Sequence, residues 1–322
     1  MTLPLDAVPA PDPAAEPAGF MVSADAGDRV HYLDWGGPTS GGAGALPAAA
    51  GPAVLAIHGL SATAWAWTPV ARRLRDATRF VAMDLRGHGL SDAPTEPDAY
   101  RLGALAGDVV AVVEGAELLD GGRRVVLAGH GFGAMVALAA AARLADACAG
   151  VVLVDGGWES IEDALGIDAD EFLRGIDEPP EVMRSMRAFL ADRAAFDPAT
   201  WDDDQDRAAR AQVVETHAGR VVPATRPHAL EASVREMFRY DPTASIAAVE
   251  APLVALRAAG EDARARARRL AAACAEREDA GRPPIETFAF ERDGHNLMRY
   301  RPAEVTAAIL SLVTRGPWPL SR

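Results

Sequence analysis

Residues 125–142, VVLAGHGFGAMVALAAAA, decide the fold. Val125 to Ala128 is a short apolar run led by β-branched residues. Glycines follow at 129, 131 and 133, and alanine then dominates. That pattern predicts a buried strand, a turn too tight for ordinary side chains, and a helix that starts at once. The five turn residues are Gly129, His130, Gly131, Phe132 and Gly133, so the apex is itself glycine.

Other apolar runs repeat the theme on both sides. Ala53 to Ile57 is a core strand ending in His58-Gly59-Leu60-Ser61. Phe80 to Met83 is a second, followed by Asp84-Leu85-Arg86-Gly87-His88-Gly89-Leu90-Ser91. Val151 to Val154 ends at Asp155-Gly156-Gly157, and further strands are expected at Pro252 to Leu256 and Ile285 to Phe290. Helical spacings separate them: from Trp65, Trp67 and Val70 towards Leu74, through Leu102, Leu105, Val109 and Val112, and over Pro302 to Val313. Short apolar strands alternating with helices predict an α/β fold, a mostly parallel sheet covered on both faces.

The rhythm stops at Trp158. Up to about Ala248 no core strand is expected, only helical segments split by Pro179-Pro180, Pro198, Pro223 and Pro227. Arg184 to Leu190 and Ala208 to Val214 have amphipathic spacing, and Asp202-Asp203-Asp204 reads as a solvated helix start. This stretch is read as an inserted helical cap. The expected organisation is a disordered tail over 1–19, core over 20–157, cap over 158–248, core again over 249–315 and a C-terminal tail over 316–322. Phe20 to Ser23 and Arg29 to Asp34 form an opening hairpin, and the Gly- and Ala-rich residues 36–52 form a surface loop.

Composition narrows the partners. Lys plus Arg total 32 against 46 Asp plus Glu, a formal charge of −14, which argues against nucleic acid. Cys148 and Cys274 are too few for a disulfide framework and read as reduced thiols. The seven histidines have no metal-binding spacing, so neither metal nor cofactor is expected. No spanning segment or signal-like start stands out. The expectation is a cytoplasmic monomer or homodimer with a small apolar ligand and no membrane partner. Trp65, Trp67, Trp158, the Met183 to Met186 stretch and Phe189 are candidate pocket residues, with core packing the competing explanation. Arg264, Arg266, Arg268 and Arg269 read as a solvated helix face.

Four features in order carry a resemblance: His58-Gly59, the D-L-R-G-H-G-x-S run at Asp84 to Ser91, the glycine turn at 129–133, and Asp293-Gly294-His295. Over roughly residues 20–315 the chain resembles the alpha/beta-hydrolase fold family, in its capped branch with epoxide hydrolases, esterases, lactonases and C–C hydrolases. The resemblance implies an eight-stranded, mostly parallel sheet and a catalytic turn, the nucleophile elbow. It implies that the backbone N–H groups of Leu60 and Phe132 form an oxyanion hole and that His295 is the general base. Asp262 is its implied acid, since Leu256-Arg257-Ala258-Ala259-Gly260-Glu261-Asp262 keeps the family spacing from arginine to aspartate. Glu261 and Asp155 are alternatives. His58, Asp84, Arg86 and His88 are expected to hold loops.

Gly131 departs from that pattern. The apex should supply a nucleophilic Ser, Cys or Asp, and glycine has none to offer. Three readings follow: a hydrolase or lyase without a covalent intermediate, in which the histidine activates water or removes a substrate proton, a pseudo-hydrolase binding a small apolar ligand or partner, or a variant of a serine hydrolase lacking its nucleophile.

Overall fold

The computed structural model describes residues 3–24, 27–38, 51–176, 181–260 and 262–315. Among the described residues ten strands are present: β1 (Ala18–Ser23), β2 (Arg29–Asp34), β3 (Ala53–Ile57), β4 (Phe80–Met83), β5 (Val125–His130), β6 (Cys148–Val154), β7 (Val213–Glu215), β8 (Val221–Pro223), β9 (Leu253–Ala258) and β10 (Ile285–Phe290). Eight make one sheet in the order β1-β2-β4-β3-β5-β6-β9-β10. β1 and β2 pair antiparallel, as do β2 and β4; every later neighbour is parallel. This is the eight-stranded alpha/beta-hydrolase sheet expected from the sequence.

Alternation explains the two cores. Leu55, Ile57, Leu127 and Leu153 point to one face, where helices Leu102–Gly115, Phe132–Leu144 and Ala263–Asp279 cover them. Val54, Ala56, Val126 and Val152 point to the other, under helices Thr68–Leu74 and Pro302–Val313. Strands buried on both faces need apolar residues throughout, which is why they read as continuous runs. The chain leaves β3 for β4 on one side and reaches β5 on the other. Such a switch opens a crevice at the carboxyl ends of the central strands.

The insertion between β6 and β9 carries helices Ile161–Leu165, Ala169–Gly175, Met186–Phe196, Asp203–Ala211, Pro227–Phe238 and Pro242–Ala248. Ser160, Asp168, Ser185, Asp202 and Asp241 cap five of them, each accepting a backbone N–H from three residues on. Two expectations need correction here. The helix predicted over 208–214 stops at Ala211, and Val213–Glu215 pairs with Val221–Pro223 as a small hairpin. Val213 and Val221 are β-branched and close a local core with Met183 and Phe189, which rewards the extended form. Nor is Asp204 simply solvated, since it pairs with Arg72 at 3.2 Å.

The described part of the expected disordered tail is also engaged. Ala15 is buried in the core, the Asp12 N–H donates to Arg72 O at 2.8 Å, and Glu16 pairs with Arg72 at 3.0 Å and with Arg207. Proline-rich chain with little regular structure can still dock when its few apolar residues find a groove. Turn residues 25–26, most of the loop over 36–52, Pro179-Pro180 and the tail over 316–322 lie outside the described residues.

Candidate active site

The elbow is formed as the sequence predicts. β5 ends at His130, Gly131 takes φ 53° and ψ −116°, and the helix begins at Phe132. A Cβ on Gly133 would lie 2.4 Å from the carbonyl oxygens of Ile57 and His58. One on Gly129 would lie 2.3 Å from Gly133 O. Backbone therefore forbids side chains at both flanks. At Gly131 the contact is of another kind: the nearest atom to its ideal Cβ is Nε2 of His295, at 3.1 Å. Packing demands glycine beside the apex and not at it.

His295 follows β10. Its Nδ1 lies 2.6 Å from Oδ2 of Asp155, and its side chain is 57 % exposed to the cavity. Its ring leans on His130, centroids 4.3 Å apart, and His130 Nε2–H donates to the His295 carbonyl at 3.1 Å. Asp155 sits directly after β6 with a positive φ of 51°, and its Oδ1 accepts from Ala258 N–H at 2.8 Å and faces Arg266 Nη1 at 3.1 Å. Burial alone would raise its pKa. The hydrogen bond and charge of His295, the charge of Arg266 and the Ala258 amide outweigh that and hold it below the usual carboxylate range.

Asp155, not Asp262, is thus the partner of His295, and this corrects the expectation. Asp262 lines the same cavity, but its carboxylate caps helix Ala263–Asp279 by accepting Ala265 N–H at 3.2 Å. The amide of Ala258, at the end of β9, anchors Asp155 in the place beside the imidazole. Glu261 lies outside the described residues.

Leu60, after β3, and Phe132 both line the cavity. Phe132 opens its helix, so its N–H has no intrahelical acceptor and stands at the positive end of the dipole. The loop histidines are otherwise occupied. His58 Nδ1–H donates to Gly59 O at 2.7 Å while Nε2 accepts Leu85 N–H at 3.0 Å, which fixes a neutral ring. Asp84 accepts from His31 at 2.8 Å and Ala64 N–H at 2.7 Å, and Arg86 clamps Asp108 at 2.6 Å.

The cavity has a volume of about 950 Å³. Its apolar wall comes from Met135, Leu165, Phe172, Phe196, Trp201 and Met237. Of the residues proposed from sequence, Trp67, Trp158 and Phe189 are almost wholly buried in packing. Sequence reasoning also missed Arg266. Its Nε donates to Glu159 at 2.8 Å, its Nη1 reaches Asp155, and its guanidinium lies 5.7 Å from the Trp158 ring. A signal existed: Arg266, Leu270, Ala273 and Arg277 form one helical stripe, and the last three are buried. Among the described residues no three His, Cys, Asp or Glu side chains gather to hold a metal ion, and no helix is long and apolar enough to cross a membrane.

Residues 54–309 match the model of the "Alpha/beta hydrolase family". The chain belongs to that family. Among relatives, it is 31 % identical over 150 residues to the 2-(acetamidomethylene)succinate hydrolase of Mesorhizobium japonicum, covering 46 % of this chain and 51 % of that protein. It is 37 % identical over 127 residues to epoxide hydrolase B of Mycobacterium tuberculosis, covering 39 % and 32 %. Mouse epoxide hydrolase 4 is 31 % identical over 126 residues, covering 39 % and 31 %. The matches thus span about a third to a half of these relatives. Among solved structures, an E-2-(acetamidomethylene)succinate hydrolase superposes with a TM-score of 0.73 at 21 % identity, covering 92 % of this chain and 98 % of that one. The enol-lactonase of Burkholderia xenovorans gives 0.65 at 19 %, covering 92 % and 100 %. At such identities these two show the fold alone.

Proposed function

We propose that this protein hydrolyses a small, mainly apolar ester or lactone with water activated by His295 and Asp155, without a covalent intermediate. The observation that carries the reading is the 2.6 Å contact between His295 Nδ1 and Asp155. An ionised Asp155 keeps the proton on Nδ1 and leaves Nε2 as the basic nitrogen, facing the place an elbow nucleophile would occupy. Water held by Nε2 gives up a proton and attacks the carbonyl carbon. The oxyanion is met by the N–H groups of Leu60 and Phe132. Collapse expels the alcohol oxygen, which takes the proton back from Nε2.

Loss of the nucleophile leaves room for this chemistry, because oxyanion stabilisation and binding alone sustain an acceleration of about 10³–10⁴ over water. The relatives' names, epoxide hydrolases and a 2-(acetamidomethylene)succinate hydrolase among them, support water addition to a small substrate. We place the protein in the cytoplasm as a monomer or homodimer that needs no cofactor.

A panel of esters, lactones and epoxides, run with the parent protein and His295→Ala in H₂¹⁸O, tests the reading. Turnover that incorporates one solvent oxygen and disappears in the variant is expected. No turnover by the parent, with His295→Ala changing ligand affinity only, would favour the pseudo-hydrolase instead.

A further inference from the structure

Among the described residues four arginines line the cavity, and they differ in what answers their charge. Arg266 and Arg269 face Asp155 and Glu159, and Arg193 has Asp192 at 3.6 Å. Arg299 has no carboxylate within ion-pair distance among the described residues. Its Nε–H donates to Thr200 Oγ1 at 2.7 Å and its Nη2–H to the Asp197 carbonyl at 2.8 Å. A guanidinium has five N–H donors, so three remain, two of them on Nη1. The group is half-buried and held in orientation by the rings of Trp201 and Tyr300, 5.8 and 5.5 Å from its centre. A cation drawn partly out of water and given only neutral acceptors gains from an anion brought to it.

Its position ties that anion to the chemistry. Arg299 lies four residues after His295 in the short helix Leu297–Tyr300, whose first N–H, that of Leu297, donates to His295 O at 3.0 Å. Base and cation therefore ride on one rigid segment. Asn296 and Gln205 line the same cavity, and their side-chain amides bond to no described residue.

We infer that Arg299 is the counter-ion for a carboxylate on the substrate, so that the preferred ligand is a half-ester or an acid-bearing lactone and not a neutral ester. This rests on the hydrolytic reading for its ester end only, since the anion subsite is a matter of binding.

The test is calorimetric titration of the intact protein with monoethyl esters of C4 to C8 diacids and with the matching diethyl esters. The best half-ester should bind about 10- to 100-fold more tightly than its diester. Arg299→Gln should lower half-ester affinity to the diester level while leaving diester affinity unchanged, and Arg299→Lys should keep part of the preference. Thr200→Val, which loosens the tie to the cap without removing the guanidinium, should retain the preference. Equal binding of the two esters by the parent protein would overturn the inference. So would an equal loss for both in Arg299→Gln, because that marks a strap between core and cap. A protein that binds half-esters without cleaving them would uphold the subsite and sink the hydrolytic reading.

Discussion

Nε2 of His295 stands 3.1 Å from the point a Cβ on Gly131 would occupy, and that ring holds the two nearest atoms to it. The elbow keeps the positive φ of 53° at its apex while lacking the side chain that such a turn presents. Serine at 131 requires the half-exposed imidazole to yield by a few tenths of an ångström, which places its hydroxyl beside Nε2. We predict that Gly131→Ser costs about 1–3 kcal/mol of stability for the positive φ. Ester cleavage should rise at least about 100-fold, since loss of such a nucleophile costs up to about 10⁶ in rate. Rapid-mixing kinetics should show a burst of one product per chain, and mass spectrometry an acyl group on the serine. Gly131→Ala carries the same strain without the hydroxyl; a matching rate rise there would refute the argument.

Arg266 shares Asp155 with His295. The cation sits 3.1 Å from Oδ1 while the imidazole takes Oδ2, so it opposes uptake of a proton by Asp155. In Arg266→Met that opposition is gone. Asp155 should then take up its proton more readily, so the acid limb of kcat/KM against pH should move to higher pH, with the plateau rate less affected. An unmoved limb, with KM alone changed, would leave Arg266 as a lining residue and nothing more.

What the sequence made legible follows from how each feature is encoded. The strands were visible because burial on both faces demands unbroken apolar runs, as in Val151 to Val154. The elbow was visible because Gly129 and Gly133 are forced by backbone contacts that leave no alternative. The acid was read wrongly because spacing along the chain favoured Asp262, whereas the fold brings the end of β6 to His295. Gly156 held a clue: a Cβ there would lie 2.6 Å from Gly131 O, so the segment after Asp155 had to pack on the elbow. Arg266 left a signal in the stripe it shares with Leu270, Ala273 and Arg277, whereas Arg299 was hidden because an arginine on a solvated face and one in a cavity look alike until tertiary contacts exist.

Three buried histidines set the response to acid. Burial lowers the pKa of His58, His88 and His130, taking the last two down to about 3. Below pH 6.5 the unfolded chain takes up protons that the native state refuses, so stability falls with pH. By pH 5 His88 and His130 should each have cost about 2 kcal/mol. Asp84 and Asp155 work lower down: their pKa values are depressed, so their contribution is present above about pH 4 and is lost as pH falls further. Urea midpoints measured at pH 7 and pH 5 should differ accordingly, and His88→Asn should remove about 2 kcal/mol of that difference. A difference unchanged in the variant would place the acid sensitivity elsewhere.

Arg277 is wholly buried, with no carboxylate within ion-pair distance among the described residues. Its guanidinium donates to Pro283 O at 2.6 Å and to Ile246, Val249 and Ala251 O at 2.7 Å. Those carbonyls belong to the last turn of the cap, the entry to β9 and the approach to β10, so one side chain joins the return of the chain to the sheet. Burial lowers its pKa to about 10, still far enough above neutrality to keep the charge that polarises the four acceptors. Arg277→Met fills similar volume but leaves the carbonyls without donors in a region closed to water. We predict a loss of about 3–5 kcal/mol in urea unfolding. Arg277→Lys should recover only part of it, because an ammonium has three donors and cannot span four acceptors in a plane. If Arg277→Met unfolds at the parent's midpoint, the cluster contributes no net stability and the junction is held by the apolar packing of Ile246, Val249 and Leu270.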